Sequence, residues 1–146
     1  MENNLRSFVN VTLADWAYMP ERAHYNDAGA DLRTPEAFVL KAHSSHVWDT
    51  GVGMQIPDGW FGKLESKSGL SVKSEIVCPG GVIDSGFRGT IKVRMKNDSD
   101  TDYAFEKGEK VVQIVILPCL LCDFRQVGKL DPAERGASGY GSTGRR

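Results

Sequence analysis

Gly80-Gly81-Val82-Ile83-Asp84-Ser85-Gly86-Phe87-Arg88-Gly89 runs directly into Thr90-Ile91-Lys92-Val93-Arg94-Met95. Val82 and Ile83 suit a pleated, half-buried strand, and the bracketing glycines permit turn geometry closed to other residues. The next six residues alternate. Ile91, Val93 and Met95 share one face, and Lys92 and Arg94 share the other. The segment therefore predicts strand, tight turn and strand, a hairpin that fixes Asp84 near the Phe87 ring and the Arg88 cation. A carboxylate on a rigid turn can act as a general base or help to hold a metal. It can equally be a plain surface acid, and these residues alone leave all three readings open.

The same pattern continues on both sides. Phe8-Val9-Asn10-Val11-Thr12-Leu13, residues 37–42, Gly51-Val52-Gly53-Met54-Gln55-Ile56, Trp60-Phe61-Gly62-Lys63-Leu64, Ile76-Val77, Tyr103-Ala104-Phe105 and residues 111–117 all read as strands. The last of these is expected to be buried on both faces. Pro57-Asp58-Gly59, Cys78-Pro79-Gly80-Gly81 and Asn97-Asp98-Ser99-Asp100-Thr101-Asp102 are turn signals between them. Only residues 68–74 hint at a short helix. Many short strands separated by turns predict an all-β barrel or sandwich.

A chain of 146 residues fits one domain with its own core. A net charge of −1 excludes the broad basicity of a general nucleic-acid binder, so phosphate recognition must rest on a few placed cations and backbone N–H groups. No apolar run approaches a membrane span. The N-terminus lacks a basic stretch followed by an apolar one, and three cysteines make an odd number. Both features point to reduced thiols and a cytoplasmic protein. Cys119-Leu120-Leu121-Cys122 has metal-knuckle spacing but no second ligand pair, so it is expected to be structural. His43 and His46 are expected in a solvated loop.

Five short segments combine glycine with charged or hydroxyl residues. Ala28-Gly29-Ala30-Asp31-Leu32 reads as a turn into a strand. Ser66-Lys67-Ser68-Gly69-Leu70 offers a cation, hydroxyls and a permissive backbone that can cradle phosphate oxygens, or else a solvated loop. The Gly80–Gly89 segment is the third. Gly108-Glu109-Lys110-Val111-Val112-Gln113-Ile114 sets an amide inside an apolar strand, where it needs partners. Arg135 and Gly136-Ala137-Ser138-Gly139-Tyr140-Gly141-Ser142-Thr143-Gly144 cannot pack a core and read as a mobile segment. Within it, an aromatic and an Arg suit a flap over a planar, anionic ligand.

Taken in order, these five segments resemble the trimeric dUTPase family. Its pattern is Ala-Gly-x-Asp-Leu, Arg-Ser-Gly-Leu, Gly-x-Ile-Asp-x-x-Tyr-Arg-Gly, Gly-Asp-Arg-x-x-Gln and Arg-Gly-x-Gly-Gly-Phe-Gly-Ser-Thr-Gly. The matches span Ala28 to Gly144, most of the chain. The resemblance implies a jelly-roll-like β-barrel over residues 1–134 and a C-terminal arm, residues 135–146, that closes over an active site. It also implies a homotrimer with sites shared between subunits. The implied reaction is hydrolysis of dUTP to dUMP and pyrophosphate with Mg²⁺, which keeps uracil out of DNA and supplies dUMP.

Residue roles follow from the same resemblance. Asp84 matches the acid that activates the attacking water, and Asp31 the acid that holds the metal through water. Lys67, Ser68 and Gly69 match the phosphate-binding motif, and Gln113 the amide near the α-phosphate. Gly81, Val82, Ile83 and Lys92 would read uracil with their main chain. Phe87 would lie under the deoxyribose. Tyr140 would stack on the base, Arg135 would meet the γ-phosphate, and Gly141, Ser142 and Thr143 would donate to phosphates.

The chain departs from the pattern at Lys67 (usually Arg), Phe87 (usually Tyr), Tyr140 (usually Phe) and Ala137-Ser138, where a further glycine is common. Charge or ring is kept at each of the first three, but Lys67 loses the planar guanidinium fork. Two rival functions remain. One is a dCTP deaminase, whose Glu base and Arg-Ser-Ser motif are missing here. The other is a viral or phage dUTPase-like protein that acts as a nucleotide-gated regulator by docking on a partner.

Overall fold

A computed structural model describes residues 8–139 and contains ten strands and one short helix. The strands are β1 (Asn10–Leu13), β2 (Gly29–Arg33), β3 (Phe38–Leu40), β4 (Ser45–Gln55) and β5 (Trp60–Ser66). Helix α1 (Ser68–Ser74) follows, and then β6 (Ile76–Val77), β7 (Val82–Ile83), β8 (Thr90–Asn97), β9 (Tyr103–Phe105) and β10 (Lys110–Pro118). All pairings are antiparallel. One sheet has the order β1-β4-β8-β6, the second β2-β10-β5-β7, and β3 pairs with β9. This is the all-β architecture that the turn spacing predicts, in the jelly-roll-like form that the resemblance implies. Among the described residues, no helix is long and apolar enough to cross a membrane.

Both large sheets turn one face to a single core. Ile91, Val93 and Met95 are fully buried while Lys92, Arg94 and Lys96 are exposed, so the period-2 pattern of β8 becomes an inside and an outside. Burying each such apolar side chain contributes about 1.5–3 kcal/mol. Trp48, Val52 and Met54 of β4, Leu64 of β5, Phe105 of β9 and Val111, Val112 and Ile114 of β10 pack into the same interior. Gly62 has a packing reason. A Cβ there would come within 2.8 Å of Ile114 and 3.0 Å of Ile56, so glycine lets β5 pass close over the core.

Four expectations are corrected. The Gly80–Met95 segment contains a turn, closed by the Phe87 N–H donating to the Asp84 carbonyl at 3.1 Å, but no hairpin. β7 pairs with β5 and β8 pairs with β4 and β6, so the turn is a corner between two sheets. Strand β4 starts at Ser45, six residues earlier than its apolar stretch indicates. His46 and Trp48 carry the inward alternation there with rings in place of aliphatics. His46 is therefore no solvated loop residue. It stacks on Phe38 at 4.5 Å, and its Nε2 is buried without a partner among the described residues. His43 does lie at an exposed turn, 2.8 Å from Asp100. Finally, β10 is buried on both faces only at Val111 and Val112, and from Val115 to Leu117 its side chains are half-buried.

Candidate active site

Three adjacent strands of the second sheet meet at one end. There β10 lies between β2 and β5, with Gln113 opposite Asp31 on one side and opposite Glu65 on the other. A register shift between Lys110 and Val112 marks a bulge in β10. In a regular strand, residues three apart point to opposite faces. The extra residue brings Lys110 and Gln113 to the same side.

Asp31 is the centre of this cluster. Its main chain is clamped on the second edge of β2 by two bonds with Glu21, at 2.8 and 3.3 Å. Its carboxylate is buried, with 8% of the side chain exposed, and both oxygens are engaged. Lys67 Nζ pairs with Oδ1, and Lys110 Nζ with Oδ2 at 2.9 Å. Burial alone would push the Asp31 carboxyl up. The bonds from Lys67 and Lys110 outweigh burial and hold it below the ordinary carboxylate value. Lys110 is a site residue that the sequence reading passed over. Its signal was the Gly108-Glu109-Lys110 start of the fourth segment, but a strict two-residue period puts it on the wrong face.

Gln113 anchors its amide locally through one bond. Nε2 donates to the Ser66 carbonyl at 3.0 Å, and the rest of the amide lies over Gly29. Lys67 precedes α1, whose first turn has no side-chain cap. Ser68 and Gly69 are exposed, and the space a Gly69 Cβ would enter is open. One end of the sheet thus collects residues of the first, second and fourth segments.

The third segment lies elsewhere. Asp84 is exposed, and its carboxylate has no partner among the described residues. Ile83 is level with Gly62 of β5, so Asp84 falls level with Phe61, whereas Gln113 is level with Glu65. Four residues of strand separate the two levels, about 13 Å at roughly 3.3 Å per residue. Phe87 is 42% exposed, with its ring over Gly89. The Leu64 N–H donates to the Gly81 carbonyl at 3.0 Å. In an antiparallel ladder that pairing turns the Val82 N–H and C=O away from β5, to the free edge of β7. Around Lys92, β8 is likewise unpaired on its β6 side, because β6 reaches only Lys96 and Asn97.

Arg135 sits in an exposed turn, where its Nε donates to the Ser138 carbonyl at 2.9 Å. Tyr140, Gly141, Ser142 and Thr143 lie outside the described residues. Cys78 is buried and Cys119 and Cys122 are free thiols. Among the described residues no group of three or more His, Cys, Asp or Glu converges as a metal site.

A family model described as dUTPase matches residues 15–144. The mitochondrial deoxyuridine 5'-triphosphate nucleotidohydrolase of Dictyostelium discoideum is 36% identical over 141 residues, covering 97% of this chain and 79% of that protein. The Clostridium acetobutylicum enzyme of the same name is 39% identical over 132 residues, covering 89% and 91%. Among solved structures, the Staphylococcus bacteriophage 80alpha dUTPase with dUpNHpp is similar with a TM-score of 0.89. It is 33% identical and the match covers 95% of this chain and 99% of that one. A mutant of the phage phi11 dUTPase, solved for its coordination of a structural Mg(II) ion, is 29% identical with a TM-score of 0.80, covering 86% and 100%.

Proposed function

The chain belongs to the dUTPase family and hydrolyses dUTP to dUMP, and from that premise we propose which residues perform the reaction and how copies of the chain assemble. The observation that carries the proposal is the separation of Asp84 from the Asp31–Lys67–Lys110–Gln113 cluster. Both groups have parts to play at one triphosphate. Asp84 and Gln113 of one chain are separated by about 13 Å along the sheet and by two strand spacings, about 10 Å, across it, which favours their meeting at one phosphorus from different copies. A site that uses both draws Asp84 from one copy and the cluster from another, as in a homotrimer with shared sites.

The surface supports such an assembly. After the Cys119 N–H donates to the Gly59 carbonyl at 2.8 Å, the chain leaves the barrel, and Leu120, Leu121, Phe124 and Leu130 are 69–96% exposed. An apolar cleft of about 500 Å³ opens beside β1, lined by Val9, Val11, Met54, Ile114 and Ile116. Apolar surfaces of this kind mark contacts. The exposed segment of a second copy is the natural occupant of the cleft.

In the assembled site, Asp84 orients the attacking water and takes its proton. The water adds in line to the α-phosphorus as the bond to the bridging oxygen breaks, and pyrophosphate leaves. The Asp84 carboxylate, exposed and without a partner among the described residues, suits a base. Lys67, Ser68 and Gly69 hold phosphate oxygens, and Gln113 contacts the α-phosphate. Val82 on the free edge of β7 and Lys92 on the β6 side of β8 offer main-chain donors and acceptors to uracil, and Gly81 and Ile83, whose main chain faces β5, wall the slot beside them. A polar mismatch in such a slot leaves a buried group unpaired and rejects cytosine. Phe87 packs against the deoxyribose. Arg135, Tyr140, Gly141, Ser142 and Thr143 close over the base and phosphates.

Mg²⁺ supplies charge neutralisation to the phosphates when bound. The donor set fits an ion carried in by the nucleotide, since the described residues offer one buried carboxylate, Asp31, and Mg²⁺ readily keeps waters and phosphate ligands. Asp31 would hold it through water. The three free thiols suit a reducing compartment, and we place the enzyme in the cytoplasm. The deciding experiment is pyrophosphate release from dUTP by the wild type and by Asp84→Asn, with sedimentation on both. A trimer that turns over dUTP and loses at least 10²-fold in kcat on the substitution supports the reading. A monomeric active enzyme, or an Asp84→Asn trimer at full rate, overturns it.

A further inference from the structure

We propose that Arg88 is a positioning residue for the hydrolysis, fixing through backbone contacts the turn from which Asp84 and Phe87 both project. The inference rests on the roles given above to those two residues. Asp84 and Phe87 are the first and last residues of one turn, and its internal bond is the 3.1 Å contact from the Phe87 N–H to the Asp84 carbonyl. Little else secures it. Before the turn, β7 contributes only two residues to the sheet. Within it, Gly86 has open space where a Cβ would be. Both functional side chains are exposed and gain no support from the core.

The Arg88 guanidinium supplies the missing constraint. Its Nη1 donates to the Ser85 carbonyl at 2.6 Å and to the Phe87 carbonyl at 2.9 Å. One cation thereby ties the middle of the turn to its end. A charged donor makes such bonds about twice as strong as a neutral one. Arg88 has no carboxylate partner within ion-pair distance among the described residues, so these carbonyls anchor its guanidinium. On its other side it lines an open cleft of about 340 Å³ with Asn10, Gln55 and Asp58. Gly89 completes the arrangement. A Cβ there would come 2.7 Å from the Phe87 ring, so a glycine directly after Arg88 lets the ring fold back over the chain.

Loosening this clamp moves two groups at once, and that gives the inference its signature. The water-activating acid loses its aim and the sugar wall loses its place, while the phosphate cluster on the other sheet end is untouched. A misplacement of about 1 Å can cost about 10²-fold in rate. Binding, which the phosphates dominate, should change much less.

The test compares Arg88→Ala, Arg88→Gln and Arg88→Lys with the wild type and with Asp84→Asn. It measures kcat and KM for dUTP, the ratio of kcat/KM for dUTP over UTP, and the Kd of a non-hydrolysable imido analogue of dUTP. Thermal melting and sedimentation identify variants that fold and assemble. The expected result is a 10- to 100-fold loss of kcat in Arg88→Ala and Arg88→Gln. The analogue Kd should stay within about threefold, selectivity against UTP should fall in parallel, and Arg88→Lys should recover most of both. If Arg88→Ala does not fold, the Gln and Lys variants carry the comparison. Folded, assembled variants with kcat within about twofold of wild type overturn the inference, as does a loss confined to KM. If Asp84→Asn is inactive while Arg88→Ala is not, Arg88 alone has been misread. If Asp84→Asn keeps its rate, the catalytic reading fails whatever Arg88 does.

Discussion

The Gln113 amide occupies the volume that a Cβ on Gly29 would need, its carbonyl carbon lying only 2.9 Å from that position. The glycine of the first segment therefore exists for the glutamine of the fourth, across the β2–β10 ladder. The two nearest obstructing atoms are the far end of a flexible side chain and can swing away, while the Gln113 Cβ, 3.1 Å from that position, needs only a small shift of the strand. Gly29→Ala should melt within a few degrees of wild type, a change of about 1 kcal/mol, yet lose about 10-fold or more in kcat as the amide leaves its site. Parallel melting curves and steady-state kinetics check this. Equal losses in stability and rate would show that the strand itself had moved.

Asp31 gives a prediction in pH. Its folded-state carboxyl lies below the unfolded value of 3.8, because the Lys67 and Lys110 bonds overcome the opposing effect of burial. A depressed carboxyl contributes its full stability above the unfolded value and loses it as pH falls through the folded one. Asp31→Asn removes the charge at nearly constant shape. It should destabilise the fold by about 2 kcal/mol at pH 7, the scale of hydrogen bonds to a charged group. The difference from wild type should shrink below pH 3.8 as the native acid protonates. Urea unfolding of both proteins at neutral and acid pH reads the two gaps directly. A gap that persists unchanged in acid would remove the ion pairs as its cause.

What could be read in the sequence follows from how local each signal is. The alternation of Ile91, Val93 and Met95 against Lys92, Arg94 and Lys96 is a property of one strand, and it became the core boundary without change. The short helix Ser68–Ser74 and the turn at Pro57-Asp58-Gly59 were equally local. The hairpin reading failed because strand pairing is decided by partners far along the chain. β5 captured β7, and β4 captured β8. Lys110 was missed because one bulged residue reverses the face on which a side chain emerges, and no composition rule announces a bulge. His46 was misplaced because strand alternation was sought in aliphatics, while the interior at that end is built from stacked rings.

Lys67 stands where the resemblance would put Arg, and its Nζ is committed to Asp31 in the free chain. A point charge can leave one partner for a phosphate, but it cannot grip both in a planar fork. Lys67→Ala should therefore raise KM for dUTP about 10-fold or more. Lys67→Arg should keep or tighten binding of the imido analogue. Both follow from titration calorimetry and kinetics. A Lys67→Ala enzyme with unchanged KM would take Lys67 out of the phosphate site.

The exposed C-terminal segment should separate into two functions. Leu120, Leu121 and Phe124 are presented to solvent directly after the last barrel contact at Cys119, and the proposed shared site needs them covered by another copy. Leu121→Asp combined with Phe124→Asp places charges where apolar contact is required. It should convert the assembly to monomers and abolish turnover, since Asp84 and Gln113 of one chain are about 13 Å apart along the sheet. Deleting residues 135–146 leaves those apolar residues in place. It should preserve the sedimentation coefficient of the assembly, apart from the lost mass, and cut kcat by at least about 10²-fold by removing the closing groups. A double variant that stays assembled would detach the apolar segment from subunit contact. A truncated enzyme at full rate would detach the arm from catalysis.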